Sequence, residues 1–370
     1  MQRVRRTAFL FVHGEGDPPL VTSALTGETT PIERDALEAL FSVPQGEWSE
    51  AEPSGLVDEL CGRGLLLREG DSKLQRREEQ LAADQWLPAA AAYHFSTKQR
   101  GGDLRLPEDA SEIATQADVA VERFVERYGP APEPFHSVEG ARVELPLVSG
   151  KGGLYDALGR RRTTRGFAER PVAREELAVL LHETFGCRGY LELHPEVVAL
   201  RKSSPSAGGL HPIEAYPLIR SVDGLEPGLY HYAVRDHSLE RLSSLEDGEA
   251  RAEVVAFTAG QTYFASTAVA VVLTARFARS FWKYRRSPTA YATLLMDAGH
   301  LSQTFYLVCA QLGLGAFLTT LINGGQIEER LGLDGSAEGA LAVLGCGVPA
   351  AERSPLEPEF TPYVPRETAI

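Results

Sequence analysis

A Pro- and Gly-rich segment near the middle of the chain most constrains how this sequence can fold. Gly129-Pro-Ala-Pro-Glu-Pro-Phe135 begins a stretch that runs to Gly153 and contains three prolines within five residues. Proline fixes φ and removes a backbone donor, so such a segment ends a helix and stiffens a linker. We therefore predict an N-terminal domain of residues 1–128, a linker of residues 129–153 and a C-terminal domain of residues 154–370.

The N-terminal part has the element order of a small winged-helix module. Thr30-Pro-Ile-Glu33 matches a capping box with proline at the first helical position, which predicts a helix through about Ser42. The other predicted elements are strands over Thr7–Val12 and 65–68 and helices over about Pro53–Cys61, Asp71–Tyr93 and Ala110–Tyr128. Such a module is similar to the peptide-recognition modules attached to enzymes that modify ribosomally made peptides.

Two other roles are open for this module: a DNA-binding winged helix, and a structural cap without a ligand. The chain has 37 Lys and Arg residues against 51 Asp and Glu residues, a formal charge of −14. This charge would repel duplex DNA unless the module had a local basic face. Nucleic acid is therefore disfavoured as a partner, while the structural cap stays open.

The C-terminal part alternates helices and strands. Ala268–Ala275 is almost entirely β-branched or small, which predicts a strand buried on both faces. Apolar residues recur every three or four positions over 294–312, so a well-buried helix is expected there, closed by the following glycines. A further helix is predicted over Glu175–Phe185, and further strands over Glu214–Arg220 and Leu229–Tyr232. These elements predict a layered α+β domain of about 210 residues.

Several classes of protein are disfavoured by the sequence. The longest apolar run, Ala268 to Leu273, is far shorter than the about 20 residues that a membrane span needs. Thr7–Val12 is too short for the apolar region of a secretory signal, so a cytoplasmic location is expected. The four cysteines lie far apart and are expected to be reduced core thiols, and no metal site is predicted.

Arg160-Arg-Arg-Thr-Thr-Arg-Gly-Phe167, just after the linker, is the first candidate functional segment. So many donors close together are costly unless they face an anion, and a phosphomonoester would suit them. The alternative is a solvated basic turn, and composition alone does not decide between the two.

Three further segments are weak signals when each is taken alone. Ser203–Pro212 is rich in Ser and Gly, which would let backbone approach a flat ligand, although most such loops are only turns. Lys283-Tyr284 lies among Phe281, Trp282 and two arginines, so it is either a surface patch or a lysine prepared to act as a base. Gly313–Thr320 follows a buried helix and exposes backbone N–H groups.

The order of these four segments resembles the FMN-dependent nitroreductase superfamily. The sequence reads Arg-Arg-x-Thr-x-Arg-x-Phe, then Pro-Ser-Ala-Gly-Gly-Leu-x-Pro-x-Glu, then Lys-Tyr, then Asp-Ala-Gly-His-Leu on a helix that ends in Gly-Leu-Gly. Within the superfamily it is most similar to SagB-type dehydrogenases, which oxidise azoline rings in modified peptides. The resemblance covers about residues 144–349 and implies a nitroreductase-like FMN domain, with a central mixed sheet flanked by helices. Residues 93–98, Tyr-His-Phe-Ser-Thr-Lys, look like a segment that precedes the flavin domain in that family.

The resemblance implies roles for individual residues. Lys283 and Tyr284 match the pair assigned to proton abstraction, and Arg165 corresponds to a cation near N1 and the C2 carbonyl of the flavin. A fixed guanidinium there would stabilise the negative charge of reduced flavin. The remaining matches are Arg161, Arg162 and Thr163 for the FMN phosphate and ribityl chain, Pro205, Ser206, Gly208 and Gly209 for a loop that reaches the flavin from the second subunit, and Leu318, Thr319 and Thr320 for the stretch that packs on the ring.

Some positions depart from the family pattern. Many nitroreductases have Asn where Gly209 stands, Ala292 occupies a position that is often Arg in this branch, and the insertion after Tyr284 is about two residues longer than expected. The phosphate contacts made by C-terminal Lys or Arg residues in some relatives have no clear match here, and Arg353 is a weak candidate.

These matches predict an FMN-dependent dehydrogenase of a ribosomally made peptide, which converts azoline to azole or performs a similar desaturation. A modified precursor peptide, a cyclodehydratase or another maturation enzyme, and a second copy of the chain with FMN at the interface are the implied partners. Two alternatives are an NAD(P)H-dependent FMN reductase of small electrophiles and a flavin-less peptide-binding scaffold. The sequence does not indicate whether the ring contains sulfur or oxygen.

Overall fold

The computed structural model describes residues 1–13, 17–98, 110–136, 139–146 and 150–361. Within these residues the strands are β1 Gln2–Arg6, β2 Leu10–His13, β3 Leu20–Ser23, β4 Thr29–Pro31, β5 Ser49–Ala51, β6 Leu66–Arg68, β7 Gly189–His194, β8 Val197–Arg201, β9 Ile213–Ile219, β10 Gly228–Ala233, β11 Ser238–Ser244, β12 Val269–Arg276, β13 Gly315–Thr319 and β14 Glu338–Gly347. The helices are α1 Arg34–Ser42, α2 Gly55–Gly62, α3 Ser72–Ala83, α4 Pro88–Ser96, α5 Ala110–Tyr128, α6 Gly153–Arg160, α7 Arg174–Phe185, α8 Asp247–Phe257, α9 Phe277–Tyr284, α10 Ala290–Leu312 and α11 Gly324–Leu331.

A six-stranded sheet in the order β11-β10-β9-β12-β14-β13 is the centre of the C-terminal part. Its strands pair in antiparallel ladders, and a parallel bridge from Thr163 to Ala316 adds to the β13 edge. β12 is buried along nearly its whole length, as its β-branched sequence predicts.

Helices cover both faces of this sheet. α7 and α10 pack on one face through a cluster that includes Leu180, Leu294 and Phe305. α8 and α11 pack on the other face, where Phe257 and Ile327 contribute to a separate cluster. The predicted α+β fold with helices flanking a central sheet is confirmed, with antiparallel ladders in place of the expected mixed sheet.

The first 68 residues contain two small sheets. One has the order β5-β1-β6 and the other the order β2-β3-β4, and Val21, Leu40 and Leu66 lie together in their core. The helix predicted from Pro31 begins instead at Arg34, because residues 29–31 pair with β3 as β4. The capping-box interpretation was therefore wrong, whereas α2 and β6 lie within about two residues of their predicted bounds.

The single helix predicted over Asp71–Tyr93 is two helices. α3 ends at Ala83 and α4 begins at Pro88, a position where proline is tolerated because its missing N–H has no helical partner. Between them the chain turns so that Trp86 is fully buried. The sequence contained this signal in Pro88, and the prediction missed it.

α3 and α4 lie in the same hydrophobic cluster as the central sheet. The Trp86 ring is 4.5 Å from the Phe277 ring, and its Nε1 donates a hydrogen bond to the Ser336 carbonyl at 3.1 Å. The Lys98 ammonium is 2.6 Å from a Glu328 carboxylate oxygen, with both side chains buried. Residues 72–98 thus share a core with the C-terminal part, and the predicted boundary at residues 129–153 stays a prediction.

α5 has the predicted bounds and exposes most of its side chains. The described part of the predicted linker has no regular structure before α6, and residues 137–138 and 147–149 lie outside the described residues. In the described segments, no helix is both long enough and apolar enough to cross a membrane.

Candidate active site

Two cavities lie beside β13, one at each end of the strand. The cavity at the start of β13 is rich in arginine. It has a volume of about 460 Å³ and lies where α6 ends. Arg161 caps this helix, and its guanidinium lies 5.6 Å from the centre of the Tyr306 ring of α10. The cavity is lined by residues 159–162, Thr164, Tyr306, Ala310, residues 313–316, Pro349 and Arg353.

The charge of this cavity suits an anion. Among the described residues, no carboxylate forms an ion pair with Arg161 or Arg162, which is unusual in a chain with a charge of −14. Arg353 reaches the same cavity and has one distant acidic neighbour, Glu359, at 3.7 Å. Arg353 was a weak candidate from the sequence because the family's C-terminal phosphate contacts have no clear match here. It lies about 190 residues from the cluster, and the fold brings the two together.

Backbone approaches closely on one wall of the cavity. A Cβ at Gly315 would lie 2.7 Å from the Thr164 side chain, so only glycine fits there without displacement. The Thr164 amide donates to the Ala316 carbonyl at 2.8 Å, and the hydroxyls of Thr163 and Tyr306 are 3.1 Å apart. Arginine donors, hydroxyls and a closely approached backbone together fit the phosphate and polyol chain of FMN.

Arg165 is directed differently from its neighbours. Its guanidinium donates to the Leu356 carbonyl at 3.1 Å and hydrogen-bonds the Tyr263 side chain. The backbone amides of Arg165 and Gly166 donate to the Glu357 carboxylate at 2.5 and 2.9 Å. Arg165 is thus tied to the C-terminal segment and does not line the arginine-rich cavity.

Successive residues at the end of β13 face opposite ways. Leu318 packs with the cluster under α10, whereas the Thr319 hydroxyl accepts a hydrogen bond from Gln261 Nε2 at 3.1 Å at a buried site on the other face. Thr320 lines the second cavity, of about 440 Å³, with Tyr291 and Leu295 of α10. Of the three residues predicted to pack on the flavin, Leu318 and Thr320 therefore share a side, and the Thr319 side chain does not.

The Ser/Gly loop is fixed to the start of α10. Ser206 Oγ donates to Asp297 at 2.5 Å, the Ala207 amide donates to the same carboxylate at 3.4 Å, and the His211 amide donates to Ser206 Oγ at 2.9 Å. Ser204 and Thr304 hydroxyls are 2.7 Å apart, which adds a second attachment. Burial raises the pKa of Asp297, and the hydrogen bonds from Ser206 and Ala207 oppose that shift. Pro205 and Gly208 stay exposed.

This loop lies against the Lys-Tyr pair within one chain. Gly208 has a φ of +66°, and a Cβ there would be 2.7 Å from Lys283 Nζ and 3.2 Å from the Tyr284 hydroxyl. The left-handed backbone favours glycine here, and a side chain at this position would displace the Lys283 amine. Gly209 has the same φ, and a Cβ at this position would be 3.2 Å from the Ala199 Cβ.

The environment of Lys283 differs from the apolar walls suggested by its neighbours in sequence. Phe281 is buried, with its ring 4.9 Å from that of Trp86, and so belongs to the core. Trp282 is 52% exposed, and Lys283 is exposed beside Tyr284 at the end of α9. Phe281 therefore packs in the core and not against the amine, since a helix directs adjacent residues to different sides.

The two groups of candidate residues lie on opposite flanks of α10. Nine residues separate Asp297 from Tyr306, and at about 100° per residue this places them on opposite sides of the helix. Leu295 precedes Tyr306 by eleven residues, which returns to nearly the same side. Both cavities therefore lie along one flank, and the loop with Lys283 and Tyr284 lies along the other.

Asp297, Tyr306 and Tyr93 are candidate residues to which the sequence assigned no role in the site, although Asp297 and Tyr93 lie within the motifs quoted above. Asp297 could have been noticed, because a carboxylate among the apolar residues of a buried helix requires a partner. Tyr306 and Tyr93 gave no such signal, since aromatic residues at helical spacing are ordinary in a core.

The chain is similar to known proteins over its C-terminal part. A family model described as the nitroreductase family matches residues 158–348. A protein of Methanocaldococcus jannaschii named as a nitroreductase is 29% identical over 192 residues, which cover 51% of this chain and 88% of that protein. The trifolitoxin-processing protein TfxB of Rhizobium leguminosarum bv. trifolii is 32% identical over 150 residues, which cover 39% of each chain.

Solved structures with some similarity were also found. A crystal structure described as a nitroreductase from Anabaena variabilis is 27% identical with a TM-score of 0.45, over 53% of this chain and 38% of that one. The Escherichia coli microcin synthetase McbBCD complex is 20% identical with a TM-score of 0.42, over 63% of this chain and 91% of that one.

Proposed function

The chain belongs to the nitroreductase family, and from this premise we propose that it is a SagB-type dehydrogenase acting on a ribosomally made peptide. It is an oxidoreductase, and its cofactor is FMN. The proposed reaction oxidises an azoline ring to an azole, or introduces a similar double bond by removing two hydrogens. The peptide, a cyclodehydratase or another maturation enzyme, and a second copy of the chain are the proposed partners.

The arginine-rich cavity would hold the phosphate of FMN. Arg161, Arg162 and Arg353 would supply charge-assisted donors to the phosphate oxygens, and Thr163 would bind the ribityl chain. Leu318, near the end of β13, and Thr320, just after it, lie on the side covered by α10, where the flat ring would pack. Bound there, FMN supplies an acceptor for the hydride that leaves the substrate.

The closeness of Gly208 to Lys283 and Tyr284 is the observation that supports Lys283 as the base. This contact brings Lys283 Nζ and the Tyr284 hydroxyl to a loop predicted to reach the flavin. In an azoline the Cα–H lies between a C=N and a carbonyl, so Lys283 Nζ can take this proton while the phenol orients the amine. The hydride leaves from Cβ, and the new double bond makes the ring aromatic.

A peptide substrate is favoured over a small electrophile for two reasons. The Lys-Tyr pair provides a base, which reduction of a small electrophile by NAD(P)H does not require. The similarity to a trifolitoxin-processing protein, over residues that make up 39% of this chain, also favours peptide maturation. The remainder of that protein is not matched, so the peptide assignment depends on the experiment below.

Two copies of the chain are proposed to form each site. The arginine-rich cavity and the Gly208 loop lie on opposite flanks of α10, so one flavin would meet the cavity of one protomer and the loop of the other. Exposed apolar side chains on α6, including Leu154, Tyr155 and Leu158, are available for such an interface. A monomer in solution that retains stoichiometric FMN would contradict this arrangement.

Mass spectrometry of the candidate precursor peptide tests the function directly. The cyclised peptide, incubated with the FMN-loaded protein and oxygen, should lose two hydrogens for each ring oxidised. Protein freed of FMN is the matched control and should leave the mass unchanged. If the peptide stays unchanged while NAD(P)H is consumed with a nitroaromatic compound, the small-electrophile reductase is the correct assignment.

A further inference from the structure

The second cavity, at the far end of β13, has no role in the reaction described above. It lies between α4, the first turns of α10 and the segment that follows β13, and its volume is about 440 Å³. Tyr93 and Thr97 form the α4 wall, Tyr291 and Leu295 form the α10 wall, and Leu321 and Ile322 lie opposite. The volume is within the range of small-ligand sites.

We propose that this cavity binds an uncharged apolar side chain, aromatic or aliphatic, of the residue beside the ring that is oxidised. The proposal rests on the proposed function, because it assigns part of the same peptide substrate to this cavity. Its consequence is that α4, which precedes the residues matched by the family model, selects among substrate sequences.

The position of the cavity supports this assignment. It lies on the flank of α10 that also faces the arginine-rich cavity, and Thr320 at its edge belongs to the stretch proposed to pack on the flavin. Eleven residues of helix separate Leu295 from Tyr306, a rise of roughly 16 Å. A flavin with its phosphate at Arg161 would therefore extend towards this cavity and leave space for substrate beyond its ring.

The walls of the cavity suit an apolar occupant. Tyr93 is 58% exposed, Leu295 45% and Leu321 36%, so large apolar side chains surround the opening. Contiguous exposed apolar surface of this kind marks a binding site more often than isolated residues do. The polar groups at the base are already occupied: the Lys98 ammonium pairs with Glu328 at 2.6 Å, and His94 is 2.8 Å from the Tyr291 hydroxyl. An acidic peptide side chain would find the Lys98 ammonium already paired with Glu328, and a charged side chain of either sign would lose hydration.

Tyr93 is suited to recognise a peptide side chain because it packs on the buried Tyr291. Its ring meets that of the buried Tyr291 edge to face at 6.1 Å. The hydrogen bonds of Trp86, just before α4, and of His94 to the segment that precedes β14 hold the helix in place. An aromatic side chain on a rigid element binds with little loss of conformational freedom. Shortening Tyr93 should thus change substrate preference without releasing FMN.

Binding of short peptides that contain a thiazole, the unreactive product ring, provides the test. We would titrate the FMN-loaded protein by calorimetry with peptides that carry Phe, Gly or Asp on both sides of the ring. The Phe peptide should bind at least about tenfold more tightly than the Gly peptide, and Asp should bind most weakly. Tyr93→Ala should reduce the preference for Phe to about threefold or less, and Leu295→Trp, which fills the cavity, should abolish it. Tyr128→Ala, an exposed tyrosine at the end of α5, is the matched control and should change nothing.

Parallel incubations with the corresponding thiazoline peptides separate this proposal from the proposed function. Oxidation of all three peptides without any preference, or with a preference that survives both variants, overturns the cavity assignment and leaves the dehydrogenase intact. Absence of both binding and oxidation overturns the two together. Loss of FMN absorbance in Tyr93→Ala, or a dimer that dissociates in Leu295→Trp, would assign the cavity to the cofactor or to a second copy and overturn the proposal.

Discussion

The two flanks of α10 have different chemistry, although both border the same row of buried residues, which includes Leu294, Leu301 and Phe305. One flank presents Tyr306 and Leu295 to cavities that contain arginine at one end and apolar side chains at the other. The opposite flank presents Asp297, which fixes a glycine loop against Lys283. The difference indicates that one helix positions the proposed cofactor cavity and the proposed base separately. Variants on the two flanks should therefore have separable effects.

Lys283→Ala should have the largest effect on the reaction. Loss of the proposed base should reduce peptide oxidation by about 100-fold or more, the usual scale for general-base catalysis. FMN content, measured by absorbance, should stay unchanged because the arginine-rich cavity lies on the other flank. Arg235→Ala, which removes an exposed cation in the turn between β10 and β11, is the control and should retain activity. A flavin-replete Lys283→Ala protein that oxidises peptide at the parental rate would remove Lys283 from the mechanism.

Arg161→Ala should have the converse effect. Removing one charge-assisted donor from the phosphate site should weaken FMN binding by about 10- to 100-fold, measured by equilibrium dialysis. The variant should remain folded, since among the described residues Arg161 forms no ion pair and contacts the Tyr306 ring. Arg170→Ala, an exposed arginine outside the cavity, should bind FMN normally. Full FMN occupancy in Arg161→Ala would place the phosphate elsewhere.

The sequence predicted where the helices and strands lie better than it predicted which loops pack on each flank of α10. The period of apolar residues located α10 and the β-branched run located β12, because burial of a helix or strand dictates its own pattern. The same patterns do not reveal which loop packs on which flank. The contact of Gly208 with Lys283 joins residues 75 positions apart and depends on the left-handed backbone at Gly208.

Local signals also failed where tertiary pairing was stronger. Thr30-Pro-Ile-Glu33 has the composition of a helix start, yet residues 29–31 pair with β3, since a sheet edge supplies partners that an isolated helix start lacks. Arg353 had no motif of its own and was only a weak candidate from the sequence, and the fold brings it to the arginine-rich cavity after β14. The residues of a site that come from distant segments are thus the ones that a single sequence least reveals.

Asp297→Ala should show how far the loop depends on its attachment to α10. The carboxylate accepts from Ser206 Oγ and the Ala207 amide, and its removal leaves these donors without that acceptor. We expect the free energy of unfolding to fall by about 1–3 kcal/mol, measured by urea denaturation. Peptide oxidation should fall because Gly208 would no longer be held against Lys283. FMN content should fall less than in Arg161→Ala, because the arginine-rich cavity is intact. Ser206→Ala in the Asp297→Ala background should cost little more, and fully additive losses would show that the two residues act independently.

The smallest effect should come from His211, at the end of the same loop. Burial, assisted by the nearby Lys202 charge, lowers the pKa of His211 to about 4, and the ring lies 3.0 Å from the Leu200 carbonyl. Since the pKa in the unfolded chain is near 6.5, the unfolded state binds more protons between these values, and stability is lost as pH falls below about 6.5. The loss at pH 5.5 should be about 1 kcal/mol relative to pH 7.5. Asn tolerates the φ of +48° at this position, so His211→Asn should remove the His211 contribution to the loss of stability at low pH. The other histidines should titrate alike in both proteins. Urea denaturation at pH 7.5 and 5.5 measures the difference, and equal losses in the two proteins would show that the loop does not hold His211 neutral.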